Sequence, residues 1–253
     1  LICGGGDDLG DYEASLRDQM LTVEHFIAAA AKPGDGRPLA RIAAIETRIP
    51  ANFARVAGDE DVLAYLVDLG TILRGVDLED APAFVEIPPL EDWRRALQNV
   101  CDGLRDYRLT TQRPAGLKLR CGGLEPAAFP SCEQVATVIA TCRDSGVPLK
   151  FTAGLHHPVR HVSAAMQCYM HGFLNVFVAG VLADALQLDY PDILAIVEEE
   201  DARQFVFDDD GLSWATARAS LAETQAARRV NVTSFGSCSF DEPRDDLRAL
   251  RLM

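Results

Sequence analysis

The chain has no apolar run near the roughly 18 to 20 residues that a membrane-spanning helix needs, so no spanning segment is expected in its 253 residues. Its opening, LICGGGDDLGDY, lacks the basic stretch followed by an apolar one that marks a secretory leader. Leu1 is not a natural start, and further residues are expected upstream. Cationic charge is scarce: 24 Lys and Arg stand against 38 Asp and Glu, a formal net charge of −14. Holding a polyanion requires clustered cations that neutralise phosphates, so neither nucleic acid nor an anionic membrane is an expected partner. The seven cysteines, at 3, 101, 121, 132, 142, 168 and 238, form no CxxC pair, and this spacing excludes a zinc ribbon or finger. An odd set in a chain of this length does not read as the disulfide framework of a small secreted module. Reduced, mostly buried thiols in a cytoplasmic protein are expected. G-x-G-x-x-G is missing from the strand-helix junctions, and with it a dinucleotide fingerprint.

What the chain does have is apolar material, 48% hydrophobic residues against 25% charged, enough for a sizeable core. Short apolar runs alternate with longer stretches of helical period. The runs at 41–49, 83–87, 116–122, 148–154 and 230–237 read as strands, with LICG at 1–4 as a further candidate. Residues 13–31, 59–73, 90–104 and 131–146 read as amphipathic helices. The last of these has Ser131 as N-cap, Glu133 in its first turn and Gly146 just past its end.

Strands joined through helices must run parallel, because a parallel pair needs a long crossover. The expected fold class is therefore α/β, with a (β/α)8 TIM-barrel-like single domain over residues 1–253 and an open doubly wound sheet as the competitor. Eight strands are not all visible, and the N-terminal end is the least complete. The stretches 161–186 and 198–215 could each hide another. In the first, MHGFLNVFVAG (170–180) reads either as helix or as strand, loop and helix. No linker rich in Pro, Gly or Ser cuts the chain into two domains; AKPGDGRP (31–38) comes nearest and reads as a surface loop.

In parallel α/β folds the C-terminal ends of the strands face the functional crevice. That rule collects Glu46, Glu86, Lys118, Arg120, Lys150, Thr152, His156 and Ser237 on one rim. Strand alternation puts Lys118 with Arg120 on one side and Leu117 with Leu119 on the other; likewise Lys150 pairs with Thr152. An amine in a partly dry site near a second cation is the kind that serves as nucleophile or base. The competing expectation is that both lysines sit in salt bridges and fill a polar layer.

Four of the five histidines, 156, 157, 161 and 171, fall within one short window. They could ligate a metal or move protons, with Glu86 or Asp241 as carboxylate partner, although their spacing matches no established ligand set. If 161–175 is one helix, His161, Cys168, His171 and Asn175 share a stripe. Structural or exposed histidines are the plain alternative. In FGSCSFDEP (235–243), Ser237 could help bind an anion through backbone N–H groups, or the segment could simply pack tightly ahead of a last helix. Cys238 or Ser237 as a nucleophile lacks the flanking G-x-S-x-G pattern.

The blocks FVEIP (84–88), LKLRCGG (117–123), LKFTAGLHHP (149–158), MHGFLN (170–175) and FGSCSFDEP together resemble a family of bacterial proteins that carries comparable blocks in the same order. The resemblance covers roughly residues 83–250 and implies that these blocks belong to one design; it implies no reaction. Separately, K-x-T-x-G at 150–154 is similar to the strand end of class I deoxyribose-phosphate-type aldolases, which implies a Schiff-base role for Lys150.

The expected function is thus a small-molecule enzyme of lyase or aldolase type without a cofactor. Lys150, Lys118, His156 and Glu86 would be catalytic, and Arg120, Thr152, His171, Asn175 and Ser237 substrate-binding. The alternatives are a metal-assisted or cofactor-free isomerase using His156, His171 and Glu86, and a non-catalytic ligand-binding or scaffold protein. A homodimer contact through YPDILAIVEEEDARQF (190–205) is a further possibility.

Overall fold

The computed structural model describes residues 9–30, 42–237, 239 and 241–253. The candidate strand at 1–4, the loop at 31–38, Cys3 and Cys238 lie outside the described residues. The chain divides into two compact units, one ending at Gly116 and one beginning at Leu117.

The first unit runs α1 (Leu9–Ala30), β1 (Ile45–Arg48), α2 (Ala51–Val56), α3 (Asp59–Arg74), β2 (Ala83–Glu86) and α4 (Trp93–Thr111). Helix α3 begins where acids favour a helix N-terminus: Asp59, Glu60 and Asp61 fill its first turn, and Asp61 Oδ2 accepts from Gly58 N at 2.9 Å. It buries Val62, Tyr65, Leu66, Leu69 and Leu73, the spacing of one helix face. Helix α4 answers with Ala96, Leu97, Val100, Leu104 and Tyr107. The two approach closely because Gly103 has no side chain; a Cβ there would stand 2.6 Å from Val62 Cγ1. Burial pushes the Tyr65 phenol up to about 12.

The second unit takes most of β3 (Ala115–Arg120), then α5 (Cys132–Asp144), β4 (Leu149–Thr152), β5 (His161–Ser163) and β6 (Cys168–Met170). It continues through α6 (Phe173–Leu186), α7 (Tyr190–Glu198), β7 (Phe205–Asp208), β8 (Gly211–Trp214), β9 (Ala217–Ser220), α8 (Leu221–Val230), β10 (Val232–Gly236) and α9 (Asp241–Ala249). Helix α5 starts as the sequence implies. Ser131 Oγ accepts from Gln134 N at 3.2 Å, and Gln134 Oε1 accepts from Ser131 N at 2.8 Å, so two of the helix's orphan donors are satisfied reciprocally. Gly146, at φ +62°, supplies the left-handed exit. Helix α6 is buried on nearly every side, from Phe173 through Ala183. An unbroken apolar sequence is what such a position requires.

Five parallel strands form the central sheet in the order β1-β2-β3-β4-β10. They fall short of the eight that a closed barrel needs. The other five described strands pair antiparallel, β5 with β6 and β7-β8-β9 as a meander.

Two expected helical or parallel segments take other forms. Residues 161–175 are not one helix: β5 and β6 make a hairpin in which His161, Val162 and Ser163 face Met170, Tyr169 and Cys168. Gln167 turns the chain at φ 52°, its N–H donating to Ser163 O at 2.8 Å. The helix can start only after Gly172, where a Cβ would lie 2.3 Å from Pro158 O. The stripe joining His161, Cys168, His171 and Asn175 therefore does not form, and MHGFLNVFVAG is strand, loop and helix. Likewise ARQFVFD (202–208) becomes a short 3-10 turn and the antiparallel strand β7. In 190–205, Ile193, Ile196 and Val197 are fully buried inside the unit, so the apolar face of α7 is already occupied. Among the described residues no helix is long and apolar enough to cross a membrane.

Candidate functional site

Strand register decides what the lysines meet. On β3 and β4, Lys118 is the partner of Lys150 and Arg120 of Thr152; on β10, Ser234 is the partner of Lys150. The row Lys118, Lys150, Ser234 thus crosses three strands, with Arg120 and Thr152 one step nearer their C-terminal ends. The intervening residues turn to the other side, against α6. Phe151 lies 6.1 Å from the ring of Phe177, and Phe235 stacks on Phe173 at 5.2 Å with an interplanar angle of 3°. Packing phenyl rings on α6 is what commits both lysines to the opposite face.

Lys118 is buried and Lys150 half-buried. Arg120 is exposed and donates through Nε to Gly122 O at 2.9 Å. Thr152 is buried, and its hydroxyl has no hydrogen-bond partner among the described residues. A buried polar atom without a partner carries a free-energy cost, so the Thr152 hydroxyl is set to accept one.

Just past the row the two strand ends press together. A Cβ at Gly122 would come within 2.8 Å of Gly154 Cα, and one at Gly154 within 2.9 Å of Cys121 O. Ala153 and Gly154 both have positive φ, 60° and 70°. For alanine this is a strained conformation of the kind that clusters at functional sites. Cys121 lies beneath this contact, fully buried, and burial pushes its thiol far up. It is no candidate nucleophile. Cys101, Cys132 and Cys142 are buried thiols that form no disulfide, and Cys168 is a half-buried one.

The histidines divide. His156 Nδ1 is 3.1 Å from Glu242 Oε2, and His157 Nδ1 is hydrogen-bonded to Asp246 Oδ2, so both are held by α9. The expected carboxylate partners, Glu86 and Asp241, are replaced by Glu242 and Asp246. His161 donates through Nδ1 to Val159 O at 3.1 Å and meets His157 edge-to-face at 4.4 Å. A cavity of about 300 Å3 opens beside them, lined by His157, Arg160, His161, Glu200 and Asp246 among others.

His171 is elsewhere: it is buried, and Nε2 donates to Pro130 O at 2.7 Å while Nδ1 has no partner among the described residues. Burial, with Arg160 adding to it, holds its pKa below the ordinary imidazole value despite the bond to Pro130. Its neutral ring is a packed core group. No three or more His, Cys, Asp or Glu among the described residues are grouped to hold a metal ion.

Asn175 was expected to bind substrate, yet it is fully buried and committed to the backbone. Its Oδ1 accepts from Arg160 N at 2.8 Å, and its Nδ2 donates to Ile196 O at 2.9 Å and Glu199 O at 2.7 Å. It ties α6 to α7 and to the 158–160 loop. Ser237 is exposed beyond the end of β10, its Oγ accepting from Ser239 N at 3.3 Å. Glu86 belongs to the first unit, where it is buried and accepts from Arg48 Nε at 2.9 Å and Nη2 at 2.5 Å.

One sequence signal points at the site with unusual sharpness. The chain has only three lysines, at 32, 118 and 150, among its 24 cationic residues. Arginine does the surface work, and two of the three amines stand side by side on the sheet. Arg160, whose guanidinium covers the Tyr169 ring at 3.7 Å and pairs with Glu200, is a second residue visible in HHPVRH but recognisable only in three dimensions. No protein-family profile matches the chain, and a search of curated proteins returns no match.

Proposed function

We propose that the second unit carries an amine-dependent small-molecule activity of lyase or aldolase type, with Lys150 as the nucleophile toward a carbonyl carbon. The observation that carries it is the cross-strand pairing of Lys118 with Lys150 in a chain that has one other lysine and uses arginine for the rest of its cations. Arginine keeps its charge in any protein environment, whereas an amine can give up its proton and attack. Spending two of three lysines on adjacent positions of a half-buried sheet face suits chemistry that needs the amine. The unreversed strand order supports a barrel-like reading of the sheet, since a doubly wound sheet reverses its order at the switch point.

In this reading the neutral Lys150 amine adds to the carbonyl carbon, and the carbinolamine loses water to give a protonated imine. The imine takes up the electron pair of the Cα–Cβ bond as that bond breaks, and the departing fragment leaves as an aldehyde as its β-hydroxyl gives up its proton. The enamine is then protonated at Cα, and water hydrolyses the imine to release the second product and restore the amine. Lys118 and Arg120 hold an anionic substituent; the Thr152 hydroxyl offers a hydrogen bond to the carbinolamine oxygen. His156, on the loop after β4 and hydrogen-bonded to Glu242 of α9, is the proton-transfer group.

Borohydride reduction in the presence of small aldehydes and 2-oxo acids, followed by peptide mass spectrometry, tests this. The expected adduct sits on Lys150, with Lys118 and Lys32 unlabelled. Labelling of all three lysines alike, or of none, overturns the reading.

A further inference from the structure

Between α6, α8, the β7–β8 hairpin and β10, all in the second unit, lies an open cavity of about 500 Å3. Small-molecule sites fall in this size range and are mostly apolar with a few placed polar groups. The wall here matches that pattern: Phe173, Phe177, Phe207, Phe235, Val181 and Leu212 supply most of it.

The charge at the rim narrows the ligand. Arg228 on α8 lines the cavity, its guanidinium carbon 5.8 Å from the centroid of the Phe177 ring. Among the described residues no carboxylate pairs with it. The acid on the same wall, Asp208, is already taken: Arg218 Nη2 lies 2.6 Å from Asp208 Oδ1 and holds that carboxyl low. One turn before Arg228, the Thr224 hydroxyl is shut off from solvent and has no partner among the described residues. In a chain of net charge −14, an arginine that borders an apolar cavity and pairs with no described carboxylate is placed for a ligand's anion. A guanidinium recognises a carboxylate through two parallel N–H donors.

We propose that this cavity binds an organic monocarboxylate with an apolar body, Arg228 taking the carboxylate and the phenyl rings taking the body. A cationic ligand would meet the guanidinium, and a neutral one would leave it unused. The cavity borders β10 through Ser234 and Phe235, and Arg228 and the phenyl wall would hold the ligand with no part played by either lysine.

Calorimetric titration with three ligands of one chain length, octanoate, octanol and octylammonium, tests it on the intact protein. Octanoate is expected to saturate one site at least tenfold more tightly than octanol, with octylammonium not binding. Arg228→Leu, an exposed position where folding can be checked by circular dichroism, is expected to bring octanoate down to the level of octanol and leave octanol unchanged. Arg228→Lys is expected to restore part of the preference. Leu221→Trp, which adds bulk at the rim, is expected to weaken octanoate and octanol together. Equal binding of octanoate and octanol by the native chain, or octanoate binding that survives Arg228→Leu, overturns the proposal.

Discussion

Lys118 and Lys150 stand opposite one another on neighbouring parallel strands, each between residues that pack away from it on the far side of the sheet. Directly paired cross-strand positions bring side chains within contact range, and like charges there disfavour each other. The amine chemistry proposed for Lys150 starts from this pairing.

The proposed imine chemistry separates charge from nucleophilicity. Lys150→Arg retains a cation but has no amine to form an imine, so borohydride trapping is expected to fall to background. Lys118→Met, which removes the cation, is expected to leave the adduct on Lys150 while weakening capture of anionic carbonyl compounds more than neutral ones. Quantitative peptide mapping of the two variants checks both outcomes.

Gly103 sits where α4 meets Val62 of α3, and any Cβ there overlaps the valine. Glycine to alanine in an exposed helix normally stabilises by up to about 1 kcal/mol. Here Gly103→Ala is expected to destabilise instead, by about 1–3 kcal/mol, the usual cost of overpacking. Urea unfolding measures it. Pairing the change with Val62→Ala is expected to recover part of the loss, since the shortened side chain makes room for the methyl; simple additivity of the two costs would refute the contact.

Asn175 satisfies one N–H and two carbonyls in a dry region. Asn175→Leu removes this partner from Arg160 N and Glu199 O and leaves Ile196 O with only its long bond from Glu199 N, at about 1–3 kcal/mol for each group left unsatisfied when no water replaces the bond. A total loss of about 3 kcal/mol or more in denaturant unfolding is expected. Asn175→Asp is expected to be at least as severe, because a carboxylate cannot donate to Ile196 O and Glu199 O.

The buried His171 ties stability to pH. Its folded pKa is depressed, so the unfolded chain binds the proton more readily. Stability from this group is complete above the unfolded value of about 6.5 and declines as pH falls toward the folded pKa, by at most about 1.4 kcal/mol per pH unit. His171→Gln, which gains no proton there, is expected to flatten that part of the profile between pH 6.5 and 5. Parallel unfolding curves for the native chain and the variant across this range would disprove the assignment.

Much of the local structure was legible in the sequence. Ser131 and Gly146 bound α5 as their chemistry implies, because capping and left-handed exits depend on residues a few positions apart. The alternation of Lys118 with Leu119, and of Lys150 with Phe151, assigned each side chain a face for the same reason. The hairpin at 161–170 was not legible. Its residues suit a helical stripe equally well, and the choice was made by Gly172 against the backbone of Pro158 and Val159.

The sequence by itself determined the α/β rhythm, the strand faces and the scarcity of lysine. Only the tertiary structure decided that residue 118 registers with 150, that α9 supplies the acids for His156 and His157, that Asn175 is a brace, and that Arg228 borders an apolar cavity. The division has one physical cause. Periodicity and capping act over a few residues and are written along the chain, whereas register and pairing depend on which distant segments bury their surfaces together.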